Sequence, residues 1–459
     1  MNRFKLSYFF LMLTILFAGL ACEEIDVLPP PEFDDDPVHT GTGNSDAKSI
    51  LFVQNSVSSL FIDPISAENY KVTDNPLEYL ASDQFAKPIN PADPSYFSLD
   101  VFPTLLESDF MELEPASGNL EESHFPGAFG VTIDEQWHIN SNWWELEPQM
   151  IDYGFDINEV EIIEGSISQN TDWTNDNKYL LRGQVFVKDG VTLTIEPGTI
   201  IFGEKAVGIE SGVLVFNRGA KIEANGTPED PIVFTGTLAP GERTRGQWGG
   251  VVFCGNAVSN KGNDVLLEGV QGPDPEDGTY GGDNPLDSSG SFSYWRVEYA
   301  GIAISPGNEI NSITFGGVGS ETSVHHIIVT YAGDDAIEWF GGAADVKYVA
   351  TYNTLDDDLD MDAGYQGNVQ YAYLVRNPFA ADESGSAGFE ISSSNSIGTQ
   401  PQTSPKISNV TIVGTEYQLS GTELFGDPKY QGGLYSKQDA KALLINSVFI
   451  GCPVGVQNQ

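Results

Sequence analysis

The chain has 459 residues, 40% of them hydrophobic, a length that accommodates two or three domains or one long repeat array. It carries 66 acidic side chains against 21 lysines and arginines, a formal net charge of −45. A chain this negative repels nucleic acid, which excludes nucleic-acid binding, and it attracts cations. The charge is also compatible with a simple role in solubility outside the cell.

The first 21 residues have the pattern of a signal peptide. Arg3 and Lys5 precede an apolar run over residues 6–20, which is short for a transmembrane anchor. The run ends in Gly19-Leu20-Ala21-Cys22. This ending resembles the bacterial lipobox, although its leucine stands one residue later than that motif prefers. The resemblance implies that Cys22 becomes the lipidated N-terminus.

Residues 23–26, Glu-Glu-Ile-Asp, look like the acidic export signal of Bacteroidota lipoproteins. The resemblance implies a protein anchored by acyl chains in the outer membrane and facing the cell exterior. Each buried CH₂ of such a chain contributes ~0.8 kcal/mol, so several chains anchor stably. No later segment of the sequence is apolar enough to span a bilayer, which argues against a transporter.

The sequence then predicts three regions. Residues 22–48 contain Pro29-Pro30-Pro31 and a run of aspartates, which is typical of a polar tether. Residues 49–160 are mixed in character and include Trp137, Trp143 and Trp144. We expect a small accessory region there. The remainder, residues 161–459, has a regular repeat.

Apolar residues alternate along this repeat region, and glycines recur in register. Leu193, Ile195 and Gly198 return 21 residues later as Leu214, Phe216 and Gly219. A second pair of matching segments is Val297-Glu-Tyr299 and Val329-Thr-Tyr331. Fixed periods of 20–25 residues with alternating strands predict an all-β solenoid rather than a β-sandwich, because each coil buries its inward residues only against its neighbours.

Residues 161–459 resemble the right-handed parallel β-helix lipoproteins of Bacteroidota, which belong to the pectate-lyase-like superfamily. The segments that carry the resemblance are residues 193–198, 219–227, 246–250, 308–319, 334–342 and 356–364. The resemblance implies a right-handed, single-stranded parallel β-helix. The superfamily includes polysaccharide lyases, hydrolases and adhesins, so the fold does not select a function.

Three further features of this region lead to structural predictions. Residues 257–290 are rich in glycine and predict a loop inserted between coils. Cys254 and Cys452 are 198 residues apart, too far along a solenoid for a disulfide, and are expected to be unpaired core residues. Residues 451–456 are followed by no polar cap, so the C-terminal end is expected to be uncapped, because of truncation or because a partner covers it.

The most informative pattern is a column of outward carboxylates. Ile337-Glu338-Trp339 aligns with Leu359-Asp360-Met361, and the alternation turns Glu338 and Asp360 outward. Glu390 continues the column. Glu338, Asp360 and Glu390 are therefore the predicted ligand-binding positions.

The same column predicts a cation site. Asp358, Asp360 and Asp362 are expected to share one strand face and, with Glu338, form a candidate Ca²⁺ site. The segment departs from a calcium-loop motif because its glycine, Gly364, is one place late and Val369 replaces the closing glutamate. Stacked carboxylates repel each other unless they bind a cation, have raised pKa values or are simply solvated.

Catalysis is the second possibility for these carboxylates. Gly333-Asp334-Asp335 resembles the paired aspartates of polygalacturonase-type hydrolases, but the other motifs of that family are missing. The candidate catalytic residues are Asp334, Asp335, Glu338 and Asp360. A lyase would need a cationic base, and the strand alternation assigns Arg296, Lys347 and Arg376 to another face.

The sequence therefore favours a surface lipoprotein that binds an extracellular polymer, a glycan or a surface protein, with or without calcium. The alternatives are a polysaccharide-degrading enzyme and a structural spacer or adhesin. A separate prediction concerns a second face of the β-helix, away from the carboxylate column. Its outward positions are expected to be Ile328, Val349, Ala372 and Thr411. Because these are apolar, residues 49–160 or 257–290 are expected to cover them.

Overall fold

The computed structural model describes the chain from residue 120 onward, with short gaps, and three short segments before it. The described ranges are 46–47, 50–53, 70–72, 120–123, 127–130, 135–139, 141–305, 307–377, 379–414, 417–419, 422–424, 427–452 and 454–459. Cys22, the signal peptide and most of the tether lie outside these ranges, so lipidation and membrane anchoring remain predictions.

Strands dominate the described residues because the apolar residues alternate. They are β1 (Asp46–Ala47), β2 (Ile50–Val53), β3 (Tyr70–Val72), β4 (Glu161–Ile167), β5 (Thr171–Trp173), β6 (Lys178–Val187), β7 (Thr192–Ile195), β8 (Ile200–Gly203), β9 (Val213–Phe216), β10 (Lys221–Asn225), β11 (Ile232–Gly236), β12 (Gly250–Cys254), β13 (Val265–Leu266), β14 (Thr279–Tyr280), β15 (Gly290–Glu298), β16 (Ile302–Ser305), β17 (Asn308–Ile310), β18 (Ile313–Gly316), β19 (Ser323–Thr330), β20 (Ile337–Phe340), β21 (Val346–Tyr352), β22 (Leu359–Asp362), β23 (Asn368–Val375), β24 (Ser386–Ile391), β25 (Lys406–Val413), β26 (Tyr417–Leu419), β27 (Thr422–Leu424), β28 (Tyr430–Ser436), β29 (Leu443–Ile445), β30 (Ser447–Ile450) and β31 (Val456–Asn458). Two short 3-10 helices, Pro148–Met150 and Gly208–Glu210, are also present.

Twenty-five of these strands form one sheet whose pairings are all parallel, and the sheet coils into a three-faced β-helix. Face 1 contains the second half of β6 followed by β9, β12, β18, β20, β22, β24, β28 and β31. Face 2 contains β5, β7, β10, the first halves of β15, β19, β21, β23 and β25, and β29. Face 3 contains the first half of β6, then β8, β11, the second halves of those five strands, and β30. The predicted parallel β-helix is confirmed.

Inward side chains of all three faces form one continuous hydrophobic core. Ile337, Trp339, Leu359 and Met361 are fully buried in it, as the alternation predicted. Each coil contributes about 4.8 Å of height and is stable only because it stacks on its neighbours.

The predicted 21-residue step is wrong for the first coils. Leu193 pairs with Ile222, 29 residues later, whereas Leu214 lies on another face and pairs with Val185. The turn between β8 and β9 contains the helix Gly208–Glu210 and lengthens this coil. The later match of Val297 with Val329 is confirmed.

Described residues between 128 and 146 pack on the outer side of face 3. The outward column of that face is Ile328, Ala350, Tyr373 and Thr411. Residues Ala128, Phe129, Trp143 and Leu146 cover it in a separate apolar cluster. The predicted cover over this face is therefore confirmed, and described residues between 128 and 146, within the predicted region 49–160, provide it. Residues 40–459 form one compact unit.

Two of the four predicted outward positions are wrong. Val349 and Ala372 point into the main core, and Ala350 and Tyr373 take their places outside. The reason is a one-residue bend between faces 2 and 3, where residues such as Tyr348 and Tyr371 have positive φ and reset the alternation.

The C-terminal coil is covered on two faces, contrary to the expected uncapped end. The N-terminal strand β1 pairs with β29, and β2 pairs with β30. Strand β3 then pairs with β2. The N-terminal part of the same chain thus supplies the cover that the local sequence lacks.

The inserted residues between β12 and β15 form a cover as well. Their hairpin β13–β14 brings Leu267, Val270 and Tyr280 onto the outer side of face 1. Cys254 and Cys452 are both buried and are not joined by a disulfide, as predicted, although Cys254 lies in this outer cluster and not in the main core. None of the helices in the described part of the chain has the length and apolar character needed to cross a bilayer.

Candidate carboxylate site on face 1

The outward column of face 1 carries the predicted carboxylates. The parallel register places Thr314 beside Glu338, Glu338 beside Asp360, and Asp360 beside Glu390. Their neighbours Ile337, Leu359 and Phe389 point into the core, so the outward direction of the column follows from strand alternation. The three predicted ligand-binding residues therefore lie next to one another.

A second column lies in the turns that precede these strands. It contains Asn311, Asp335 and Asp357, one from each successive coil. Asp335 accepts a hydrogen bond of 2.8 Å from the backbone N–H of Asp357, and Asp357 accepts one from the N–H of Ala387. These bonds use one oxygen of each carboxylate and hold it beside the strand column.

Asp334 and Asp356 lie one residue before the turn column. Ser386 and Ser384 donate hydrogen bonds of 3.0 and 3.2 Å to the two oxygens of Asp356. The residues after β23 thus form one wall of the site.

The two columns and these outer aspartates bring seven carboxylates together. They form three overlapping groups of three carboxylates. Within each group, one oxygen of each carboxylate lies within 4.8 Å of one oxygen of each of the other two. The groups are Asp334, Asp335 and Asp356; Asp335, Glu338 and Asp360; and Asp357, Asp360 and Glu390. All four predicted catalytic residues belong to this cluster.

The cluster is largely shielded from water. Asp335 and Glu338 are each 7% exposed, Asp357 is 4% exposed, and the others are half-buried. Burial raises the pKa of Asp334 to about 8 and that of Asp356 to about 6, with the negative charges of neighbouring carboxylates as a further cause. Burial likewise raises the pKa values of Asp335, Glu338, Asp357 and Asp360 well above their ordinary values.

Two residues of the site were missed by the sequence analysis. Lys437, which follows β28, forms an ion pair with Glu390. The buried Asn311 donates a hydrogen bond to the Glu338 carboxylate. Both lie in turns, outside the alternating segments on which the predictions were based, so no spacing in the sequence pointed to them.

The predicted metal-ligand set is only partly brought together. Asp358 is fully buried and points to Arg376, whose Nη1 lies 3.5 Å from its Oδ1. The prediction that Asp358 shares a face with Asp360 is therefore wrong, because Asp358 precedes β22 and strand alternation does not extend to it. Asp362 does face outward, but it lies 3.5 Å from Lys261 and outside the three groups.

The cationic residues considered for a lyase have other partners. Arg296 pairs with Glu298 at 2.8 Å on face 3, and Lys347 pairs with Glu121 at 2.7 Å on face 2. Arg376 pairs with Asp358. None of the three forms an ion pair with the seven carboxylates in the described structure.

The donor set of the cluster limits its chemistry. Its possible metal ligands are carboxylate oxygens and the Asn311 amide, and these suit a hard divalent cation such as Ca²⁺. The cluster contains none of the histidine nitrogens and cysteine sulfurs that are typical of zinc sites. The same carboxylates can hold protons at neutral pH, and they can accept hydrogen bonds from sugar hydroxyls.

Comparison with known proteins agrees with the fold. A family model described as a pectate-lyase like beta helix domain matches residues 165–457. No curated protein and no solved structure matches the chain. The match covers well over half of the chain and coincides with the coiled parallel sheet. The chain therefore belongs to the family of pectate-lyase-like β-helix domains.

Proposed function

We propose that this protein binds an extracellular polysaccharide along face 1, with Ca²⁺ held at the carboxylate cluster. The observation that carries the proposal is the gathering of seven carboxylates on one face of the β-helix. Such a cluster is costly to maintain, because buried like charges repel and each desolvated carboxylate loses its hydration. A ligand that supplies positive charge and hydrogen-bond donors offsets that cost.

Two further features support a polymer as the ligand. From β20 to β24, face 1 presents equivalent outward carboxylates in successive coils, about 4.8 Å apart, so an extended chain finds repeated contacts along it. The family is named for pectate lyases, which favours a role in glycan binding or degradation. Calcium would allow acidic sugars to approach carboxylates that otherwise repel them.

We also propose that the protein acts at the cell surface. A signal peptide and lipidation of Cys22 would anchor the protein in the outer membrane, with the β-helix outside the cell. The net charge of −45 supports a soluble, exposed domain that does not adhere to anionic surfaces.

Affinity electrophoresis in gels that contain neutral or acidic polysaccharides tests the binding, with calcium or with a chelator. We expect retardation of the wild-type protein by at least one polysaccharide, and loss of that retardation in Glu338→Gln and Asp360→Asn. Glu223→Gln removes an exposed acid from face 2 and is the matched control. If no polysaccharide retards the wild-type protein, the glycan proposal is wrong and a spacer or adhesin becomes the better explanation.

Hydrolysis of the polymer is the second candidate, and one observation favours it. Asp334 and Asp356 belong to one group and have raised pKa values of about 8 and about 6, so near neutral pH one is protonated while the other is largely ionised. That division is what a general acid and its partner carboxylate require. Incubation of the protein with each polysaccharide, followed by an assay for reducing ends, tests for hydrolysis. We expect new reducing ends with the wild-type protein and none with Asp334→Asn.

A further inference from the structure

Two of the three carboxylate groups are copies of each other, shifted by one coil. The upstream triad is Asp335, Glu338 and Asp360, and the downstream triad is Asp357, Asp360 and Glu390. The sheet register relates Glu338 to Asp360 and Asp360 to Glu390, and the turn column relates Asp335 to Asp357. The repeat therefore builds the same site twice, with Asp360 shared.

The downstream triad already contains a cation. The ammonium group of Lys437 forms an ion pair with Glu390, and the side chain of Lys437 is 27% exposed. Hydrogen bonding and attraction to Glu390, with further attraction to Asp360 and Asp357, raise the pKa of Lys437 despite its partial burial. Its charge is thus directed at all three members of the downstream triad.

The upstream triad has no such group. Within the described residues, neither Asp335 nor Glu338 takes part in an ion pair, and both are more than nine-tenths buried. One oxygen of Asp360 is also shielded from solvent and accepts no hydrogen bond. Among the described side chains, Lys437 therefore acts on this copy only through the shared Asp360, and Asp335 and Glu338 have no cationic partner of their own.

Asn311 provides an independent indication of a ligand. This side chain is 1% exposed, and its amide is directed at the Glu338 carboxylate, to which its nitrogen donates. Its carbonyl oxygen, Oδ1, is buried without a partner. Rotation of the amide by 180° would turn that oxygen toward the triad as a further neutral ligand, and the two orientations occupy the same space.

We propose that the upstream triad binds one divalent metal ion, with Ca²⁺ as the best fit, and that the Lys437 ammonium replaces such an ion in the downstream triad. Three carboxylates and the Asn311 carbonyl supply hard oxygen ligands, and water completes the six to eight that Ca²⁺ takes. The inference rests on the calcium part of the proposed function and is independent of the glycan.

Calcium titration by calorimetry measures the number of ions bound per chain. We expect one Ca²⁺ for the wild-type protein, none for Asp335→Asn or Glu338→Gln, and two for Lys437→Met, in which the downstream triad has lost its built-in cation. Lys429→Met is the matched control, because it removes one positive charge from an exposed pair with Glu383 and should leave the number at one. Circular dichroism establishes that each variant is folded, and Lys437→Gln replaces Lys437→Met if the latter is not.

Two results would overturn the inference: no calcium bound to the folded wild-type protein, or a number that stays at one in both folded Lys437 variants. The glycan experiment is separate from this one. If no polysaccharide retards the wild-type protein although it binds one Ca²⁺, glycan binding alone is refuted. If a polysaccharide retards the wild-type protein although it binds no calcium, the ion site alone is refuted.

Discussion

Single carboxylates determine how the cluster responds to pH. Asp334 and Asp356 have ordinary pKa values of 3.8 in the unfolded chain, and burial raises them to about 8 and about 6 in the folded protein. The folded state therefore holds protons that the unfolded state releases. The stability linked to these two residues is fully present below about pH 4 and is lost as the pH rises through 6 and 8.

We therefore predict that, in the presence of a chelator, the melting temperature falls between pH 5 and pH 8.5. Asp334→Asn should reduce this fall, because the amide cannot ionise, and should raise the melting temperature relative to wild type at pH 8.5. Thermal unfolding monitored by circular dichroism measures both effects. If the melting temperatures of both proteins fall by the same amount between pH 5 and pH 8.5, Asp334 is not the residue that holds the proton.

At the scale of elements, the bend between faces 2 and 3 organises the packing of the N-terminal segment. Tyr294, His326, Tyr348 and Tyr371 occupy successive bends with positive φ, and their rings stack at centroid distances of 4.3 to 5.0 Å. Trp143 packs against this stack, 5.3 Å from the His326 ring, and donates a hydrogen bond of 2.9 Å to the carbonyl of Trp295. This tryptophan thus ties the N-terminal segment to the coils.

Replacement of the fully buried Trp143 by alanine should lower the free energy of unfolding by about 3–5 kcal/mol, through the lost burial and the cavity. The neighbouring Trp144 is only half-buried, and its indole N–H has no partner, so Trp144→Ala should cost less. Urea unfolding of both variants at one pH gives the comparison. Equal losses would show that Trp143 does not hold the segment in place.

For the molecule as a whole, strands β1 and β2 meet the C-terminal coil at one end of the β-helix. Strands β1 and β2 extend the ladders of β29 and β30, and the described residues between 120 and 150 return along face 3 to the first coils. The N-terminal segment thereby covers strand edges that the repeat leaves open. Open edges of this kind pair readily with other chains.

A chain that begins at residue 120 should therefore associate with itself, since it lacks β1, β2 and β3. A chain that begins at residue 40 retains these strands and should remain monomeric at the same concentration. Light scattering coupled to size-exclusion chromatography distinguishes the two. Identical masses per particle would show that β1 and β2 are not needed to protect the end of the β-helix.

The sequence by itself determined the β-helix and the outward column of Glu338, Asp360 and Glu390. In these strands each inward position must be apolar to join the core, so the alternation is visible in segments such as Ile337-Glu338-Trp339. Only the tertiary structure decided the orientation of turn residues, because alternation does not govern them. It turned Asp358 inward to Arg376, and it brought Asn311 and Lys437 to the carboxylates from sequence-distant turns. It also decided which segments cover faces 1 and 3, since an apolar outer column shows that it needs a partner but not which part of the chain provides one.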